Sequence, residues 1–320
     1  MAKKSKQGGF NIDDCVMVDA QVLGAGHYVF LAHSAAALRE ESYICRVVEY
    51  RDGNWAGLAE WPWQAVALAL TSSAPLAVAV LGRDGQIGTL AGGSASEAKI
   101  DAQRPVGPFR GLRQLKAGLF AFGMKREVYW LPPGGTWARM MEGMEKPPPD
   151  GKLSIKEQMR ARLTDVGGIN ALAVDGAGEL LAFGMKGEIW RRAGALWVKV
   201  DSPTNVILQD ATEVPDAGIF VCGQVGTLLN GSGSTWNVVS YVGPEGLDFR
   251  SICAFNGNLF IADGHSLRFL DNGELKLVNF GVQDVVPSVV VVAGPERVLS
   301  VAGQEVWESA DGIKWKVILG

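Results

Sequence analysis

Histidine is scarce in this chain: 3 in 320 residues, at His27, His33 and His265. Isolated imidazoles of this kind do not make the paired spacing of a zinc site, and no metal is expected. The four cysteines, Cys15, Cys45, Cys222 and Cys253, form no C-x-x-C pair, and most lie in apolar stretches such as Ile219-Phe-Val-Cys222. They read as buried free thiols, a usage that fits a reducing compartment. Long apolar runs are also missing. The most apolar window, 65–81, is interrupted by Thr71-Ser-Ser-Ala-Pro75, whereas a membrane span needs about 20 uninterrupted apolar residues. The window reads instead as a hairpin of two buried strands. The N-terminus is basic (Met1-Ala-Lys-Lys-Ser-Lys) with no apolar stretch behind it, unlike a signal peptide. A cytoplasmic protein with no membrane partner is expected.

Positive charge is not in excess either. Lys and Arg number 30 against 34 Asp and Glu, a net charge of −4, which argues against a nucleic-acid partner held by bulk charge. Catalytic signatures are missing in the same way. There is no G-x-S-x-G elbow, and Gly92-Gly-Ser-Ala-Ser does not follow a strand and open a helix as a phosphate cradle must. No pair of carboxylates is marked by context as an acid/base couple. No catalytic residue and no cofactor is expected, although a site assembled from several loops would leave no local motif.

What the chain has in abundance is glycine, 41 residues, and tryptophan, 10 residues. Such a mixture suits short strands joined by tight turns, because glycine supplies the positive φ that those turns need. Helical periodicity is nearly absent. A repeat is plain instead. Leu181-Ala-Phe-Gly-Met-Lys-Gly-Glu-Ile-Trp190 followed by Trp197 matches Ile219-Phe-Val-Cys-Gly-Gln-Val-Gly-Thr-Leu-Leu229 followed by Trp236. Leu119 to Tyr129 followed by Trp137, and Val298 to Trp307 followed by Trp315, have the same form. The closing residues of the units fall at Trp55, Glu97, Trp137, Trp197, Trp236, Leu275 and Trp315, spaced by 39 to 42 residues except for one gap of 60.

Each unit reads as four short strands; in the fourth they are predicted at 170–174, 179–183, 188–191 and 197–201. The first strands are continuously apolar (Ala171-Leu-Ala-Val, Val289 to Val292), as expected when neighbouring sheets cover both faces. Radial packing of such sheets buries them without long open edges. The expected fold is therefore an all-β, seven-bladed β-propeller over 12–320, preceded by a flexible N-terminus, 1–11. The one long gap is an insertion at about 143–165 between blades 3 and 4. It holds a Pro-rich loop and a short helix at 154–163, with Ser154 and Glu157 as a capping box and Ile155, Met159 and Leu163 on one face.

Ser309-Ala-Asp-Gly-Ile-Lys-Trp315 resembles an Asp-box, the S-x-D-G-x-x-W turn of BNR-type propellers. Weaker echoes are Arg51-Asp-Gly-Asn-Trp55, Pro133-Gly-Gly-Thr-Trp137 and Gly233-Ser-Thr-Trp236, and Gly223 to Leu229 is similar to the repeats of photosystem II assembly-factor propellers. The resemblance implies that the box Asp and Trp fix a turn between the two outer strands, a structural role. The Arg-Ile-Pro motif of sialidases is missing, and Gly26-His27 and Gly264-His265 occur without the Trp-Asp of WD-type repeats.

In a propeller, the loops from second to third strand and from one blade to the next share a face. Candidate partner-binding residues on it are Trp61, Trp63, Phe109, Arg110, Lys125, Arg126, Lys186, Tyr241, Phe249, Arg250 and Phe280, since loop aromatics and arginines are favoured interface anchors. Lys125, Arg126 and Lys186 are expected to form a patch for an acidic protein surface. A monomeric, non-enzymatic binding protein is the leading expectation. Such single-domain propellers resemble bacterial immunity proteins that bind a secreted toxin of a type VI or contact-dependent system. An assembly or scaffold factor, or a glycosidase or lyase with a central-channel site, are the alternatives.

Overall fold

The computed structural model describes residues 10–73, 75–101, 107–145, 154, 156–157 and 167–320. Seven four-stranded antiparallel sheets are each built from four consecutive strands, in sequential order from the central channel outward. The blades span 15–61, 65–99, 109–139, 169–200, 208–238, 251–277 and 290–319. Six of the seven repeat marks lie within the outermost strand of their blade, and Trp137 immediately precedes the two-residue strand Ala138–Arg139. In blade 4 the strands are Ile169–Val174, Leu180–Gly184, Ile189–Ala193 and Leu196–Val200, each within two residues of expectation.

Alternation along the strands sets the core. Neighbouring side chains on a strand point to opposite faces, so each blade buries one set against the preceding blade and the other against the next. Val221 of blade 5 joins Phe183 and Ile189 of blade 4, whereas Cys222 joins Ile252 and Ile261 of blade 6. Seven apolar layers result among the described residues, one at each blade junction. The four thiols are buried in these layers, and burial pushes that of Cys45 up to about 12.

Among the described residues no strand is exchanged across the ring closure. Blade 1 is purely N-terminal and blade 7 purely C-terminal, and their seam is held by packing of Met17, Tyr28 and Val48 against Leu299, Val301 and Val306. The Met17 N–H donates to the Gly303 carbonyl at 2.8 Å, Gln304 Nε2 donates to the Asp13 carbonyl at 2.6 Å, and the Tyr28 hydroxyl donates to Glu308. Phe10 already belongs to this seam, its ring lying over Gly57, so the folded body begins earlier than the predicted boundary at 12.

Two connectors cover outer strand edges, which would otherwise present unpaired backbone groups. The Trp197 N–H donates to Glu142 O at 2.7 Å, and the Val242 N–H donates to Gly273 O at 2.8 Å while Val242 O accepts from Leu275. Met141 and Met144 are each 3% exposed, and Met144 sits in the layer between blades 3 and 4. Met144, at the start of the predicted insertion of about 143–165, is thus still held by the propeller. Of the predicted helix, Lys156 and Glu157 are helical and the capping box forms: the Ser154 N–H and hydroxyl donate to Glu157 Oε2 at 2.9 and 2.6 Å. Ile155, Met159 and Leu163 lie outside the described residues.

A deletion test follows from this boundary. Replacing 146–163 by a short Gly/Ser bridge is expected to leave β-type circular dichroism and the denaturation midpoint near wild type, because surface-loop length has a small effect on closure. Extending the deletion to Met144 empties a buried site and is expected to cost about 2–5 kcal/mol. An insoluble short deletion would place the segment in the core.

Candidate functional site

The second-to-third-strand turns of blades 3, 4 and 5 share one geometry. Two residues with positive φ make the tip: Lys125 and Arg126 (60° and 58°), Lys186 and Gly187 (57° and 68°), Val225 and Gly226 (55° and 66°). This is the pattern of a type I′ hairpin, which matches the natural twist of the strands. Each turn is tied to a connector that enters a first strand: Lys125 N–H to Gly167 O at 2.8 Å, ahead of blade 4, and Met185 N–H to Gly168 O and Gln224 N–H to Ile207 O, both at 2.9 Å, ahead of the first strands of their own blades. Turns and connectors thus form one continuous face, with Lys125, Lys186 and Val225 exposed at its tips.

Arg126 departs from expectation. It occupies the slot that glycine fills in blades 4 and 5, and its side chain turns inward, leaving the residue 9% exposed. Nε and Nη2 donate to both carboxylate oxygens of Glu188 at 2.7 and 2.6 Å. The guanidinium carbon lies 6.0 Å from the Trp190 ring centroid. Room for it comes from Gly167, where an added Cβ would stand 2.4 Å from that carbon. Arg126 is a clamp between blades 3 and 4 and is withdrawn from the basic patch.

The aromatic candidates are also interior. Trp61 and Trp63 stack on each other at 5.7 Å in the blade 1–2 layer, with Trp63 Nε1 donating to Glu97. Phe109, Phe249 and Phe280 are buried, the last against Trp307 and Trp315. Tyr241 is half-buried, its hydroxyl donating to Gly226 O at 2.8 Å. Arg110 and Arg250 are exposed at the mouth of the central channel, and Arg110 Nη2 lies 3.7 Å from Met124 Sδ. Of the eleven candidates, the structure brings Arg110, Lys125, Lys186 and Arg250 to the open face.

The strand register explains why Phe109 and Arg110 part ways. In blades 1 to 5 the first strand carries a bulge at the same place, leaving Val18, Val66, Arg110, Asn170 and Gln209 unpaired in register. The bulge points the preceding side chain into the interblade layer and leaves the next at the channel mouth.

The channel itself, a cavity of about 970 Å³, contains charged groups not expected from the sequence. Innermost strands have one edge without a neighbouring strand, and their N–H groups need other acceptors. Asp19 accepts from Ala20 N–H and from Leu68 N–H of blade 2, both at 2.8 Å. Asp210 of blade 5 does the same toward its own next blade, accepting from Ala211 N–H at 2.8 Å and from Ile252 N–H of blade 6 at 3.1 Å. Arg113 spans three blades, donating to Leu172 O and Ala211 O at 2.8 Å and to Asp210 at 3.0 Å. Burial pushes the Asp19 carboxyl up to about 6, against the two backbone donors. The signal was present: Asp-Ala recurs at 19–20 and 210–211, at equivalent points of two first strands.

Among the described residues, no three His, Cys, Asp or Glu side chains gather as metal ligands, and no helix is long and apolar enough to cross a membrane. No protein-family model matches the chain. It is 28% identical over 308 residues to Immune protein Tsi7 of Pseudomonas aeruginosa, covering 92% of this chain and 96% of that protein. Among solved structures it is similar to YCF48 from Cyanidioschyzon merolae (14% identity, TM-score 0.64, 92% of this chain and 94% of that one). It is also similar to a catalytically inactive virginiamycin B lyase from Staphylococcus aureus with quinupristin (12% identity, TM-score 0.62, 94% of each chain). At these identities the structural likenesses carry the propeller fold alone.

Proposed function

We propose that this chain is a cytoplasmic bacterial immunity protein, a non-enzymatic propeller that binds and neutralises a secreted toxin domain through its loop face. The observation that carries the reading is the end-to-end likeness to Immune protein Tsi7, which extends over the whole disc and not over a single repeat. Three features support it. Four exposed cations, Arg110, Lys125, Lys186 and Arg250, lie on one face of a protein whose net charge is −4, suiting an acidic partner surface. The groups that a channel enzyme would draw on, Asp19, Asp210 and Arg113, have their oxygens and N–H groups engaged in tying blades together. Free buried thiols fit a reducing compartment.

The test is expression of the product of the gene immediately upstream of this one, where the reading places the toxin, with and without this chain. Restored growth and a co-purifying complex are expected; intoxicated cells and no complex would overturn the reading. Within it, Lys125→Glu combined with Lys186→Glu is expected to weaken the complex at least tenfold and to reduce its salt dependence. Placing like charges against an acidic surface costs several kcal/mol, whereas exposed turn tips contribute only about 0.5 kcal/mol to stability. Calorimetry against the toxin domain checks this, and equal affinity at low and high salt would move the interface elsewhere.

A further inference from the structure

At the tip of the blade 5 turn, Val225 stands where blades 3 and 4 carry lysine, with φ of 55° and 65% of its surface exposed. Both features are adverse. The first tip position of a type I′ turn favours Asn, Asp or Gly, and a β-branched residue with positive φ is a genuine outlier. An exposed valine gains nothing from burial in return. Strain of this sort persists where the surroundings over-determine it, and it clusters at ligand clamps.

The surroundings do over-determine it. Val225 N–H donates to Asp248 Oδ1 at 3.0 Å, Gly226 N–H donates to Leu247 O, and the Tyr241 hydroxyl donates to Gly226 O at 2.8 Å. Gly226 has no room for a side chain, since an added Cβ would stand 2.5 Å from Tyr241 Oη. Three hydrogen bonds from one connector therefore hold an apolar tip rigid in solvent. A prearranged apolar projection loses little freedom on binding, and a desolvated centre flanked by polar contacts is the usual form of an interface hot spot.

Resting on the toxin-binding reading above, we infer that Val225 is the apolar anchor of the docking face. It seats in an apolar socket of the toxin domain, beside acidic side chains that meet Lys125 and Lys186. Going round the ring, the tips read lysine, lysine, valine on blades 3, 4 and 5, which fixes the order of the complementary groups on the partner.

The role gives opposite signs for folding and binding. Val225→Asn suits the turn, so its denaturation midpoint is expected to rise, yet its affinity for the toxin domain that the co-expression test identifies should fall at least tenfold. Val225→Ile keeps the apolar tip and should bind within about threefold of wild type. Asparagine binding as tightly as valine would overturn the anchor while leaving the immunity reading intact. A lower midpoint for Val225→Asn would remove the strain on which the argument stands. A wild-type chain that fails to bind the toxin domain would overturn both readings together.

Discussion

Arg126→Ala is expected to lower stability by about 3–5 kcal/mol, the range for removing one partner of a buried ion pair. The loss comes from what remains. Glu188 is 6% exposed, and without the guanidinium its carboxylate keeps, among the described residues, the Trp190 Nε1 donor at 3.3 Å. Glycine at 126 relieves the positive φ and fits the slot as Gly187 and Gly226 do, but it leaves the same orphaned charge. Removing both charges is a different matter. Arg126→Gly with Glu188→Leu is expected to recover most of the loss, because replacing a buried pair by apolar groups is often neutral or stabilising. Urea denaturation of the two single variants and the double would measure the coupling. An Arg126→Ala midpoint within error of wild type would mean that the clamp contributes nothing. Toxin affinity should be unaffected throughout, which separates Arg126 from its exposed neighbour Lys125.

The same residue shows where sequence reasoning reached its limit. Blade number was legible because a tryptophan closes five of the seven units, as at Trp197 or Trp236, at a period that the other two keep, and Gly-Met-Lys marks the turn in two of them. The direction of a side chain at that turn was not. Met124-Lys125-Arg126 and Met185-Lys186-Gly187 look like two basic tips, but replacing glycine by arginine at the second position sends the third side chain inward to Glu188. Aligning the glycines, instead of counting cations, distinguishes the two. The connector aromatics were assigned to the surface because they border predicted loops. A bulge shared by five first strands turns Phe109 into a layer and Arg110 out to the channel mouth, and a bulge adds one residue without disturbing the apolar pattern. Interior polar groups were hidden for a related reason. An aspartate within an apolar strand, as at Asp19, reads as a break in pattern until the ring supplies the neighbouring strand whose N–H it accepts.

Trp197→Ala and Trp236→Ala are each expected to cost about 3–5 kcal/mol, the usual range for truncating a buried tryptophan, and neither should alter toxin affinity. Both rings project from an outermost strand into the layer shared with the preceding blade. Trp236, 7% exposed, meets Phe183 of blade 4 edge-on at 5.1 Å, and its Nε1 donates to the nearby Gly233 O at 3.3 Å. Trp197, 2% exposed, packs with Phe120, Phe122 and Met144. Its Nε1 donates to Met140 O at 2.9 Å, and the Arg192 guanidinium lies 5.7 Å from its ring centroid. Truncating it also loosens the connector that covers the edge of blade 4, so Trp197→Ala belongs at the upper end of the range and Trp236→Ala at the lower. The rings lie in different layers, blades 3–4 and 4–5, so the double variant should show the sum of the two losses within about 0.5 kcal/mol. Denaturation midpoints unchanged for both single variants would show that the repeat's aromatic position does not hold the blades together. A double variant losing far less than the sum would mean that opening one junction already frees the other, with blade 4 unfolding as a unit between its two neighbours.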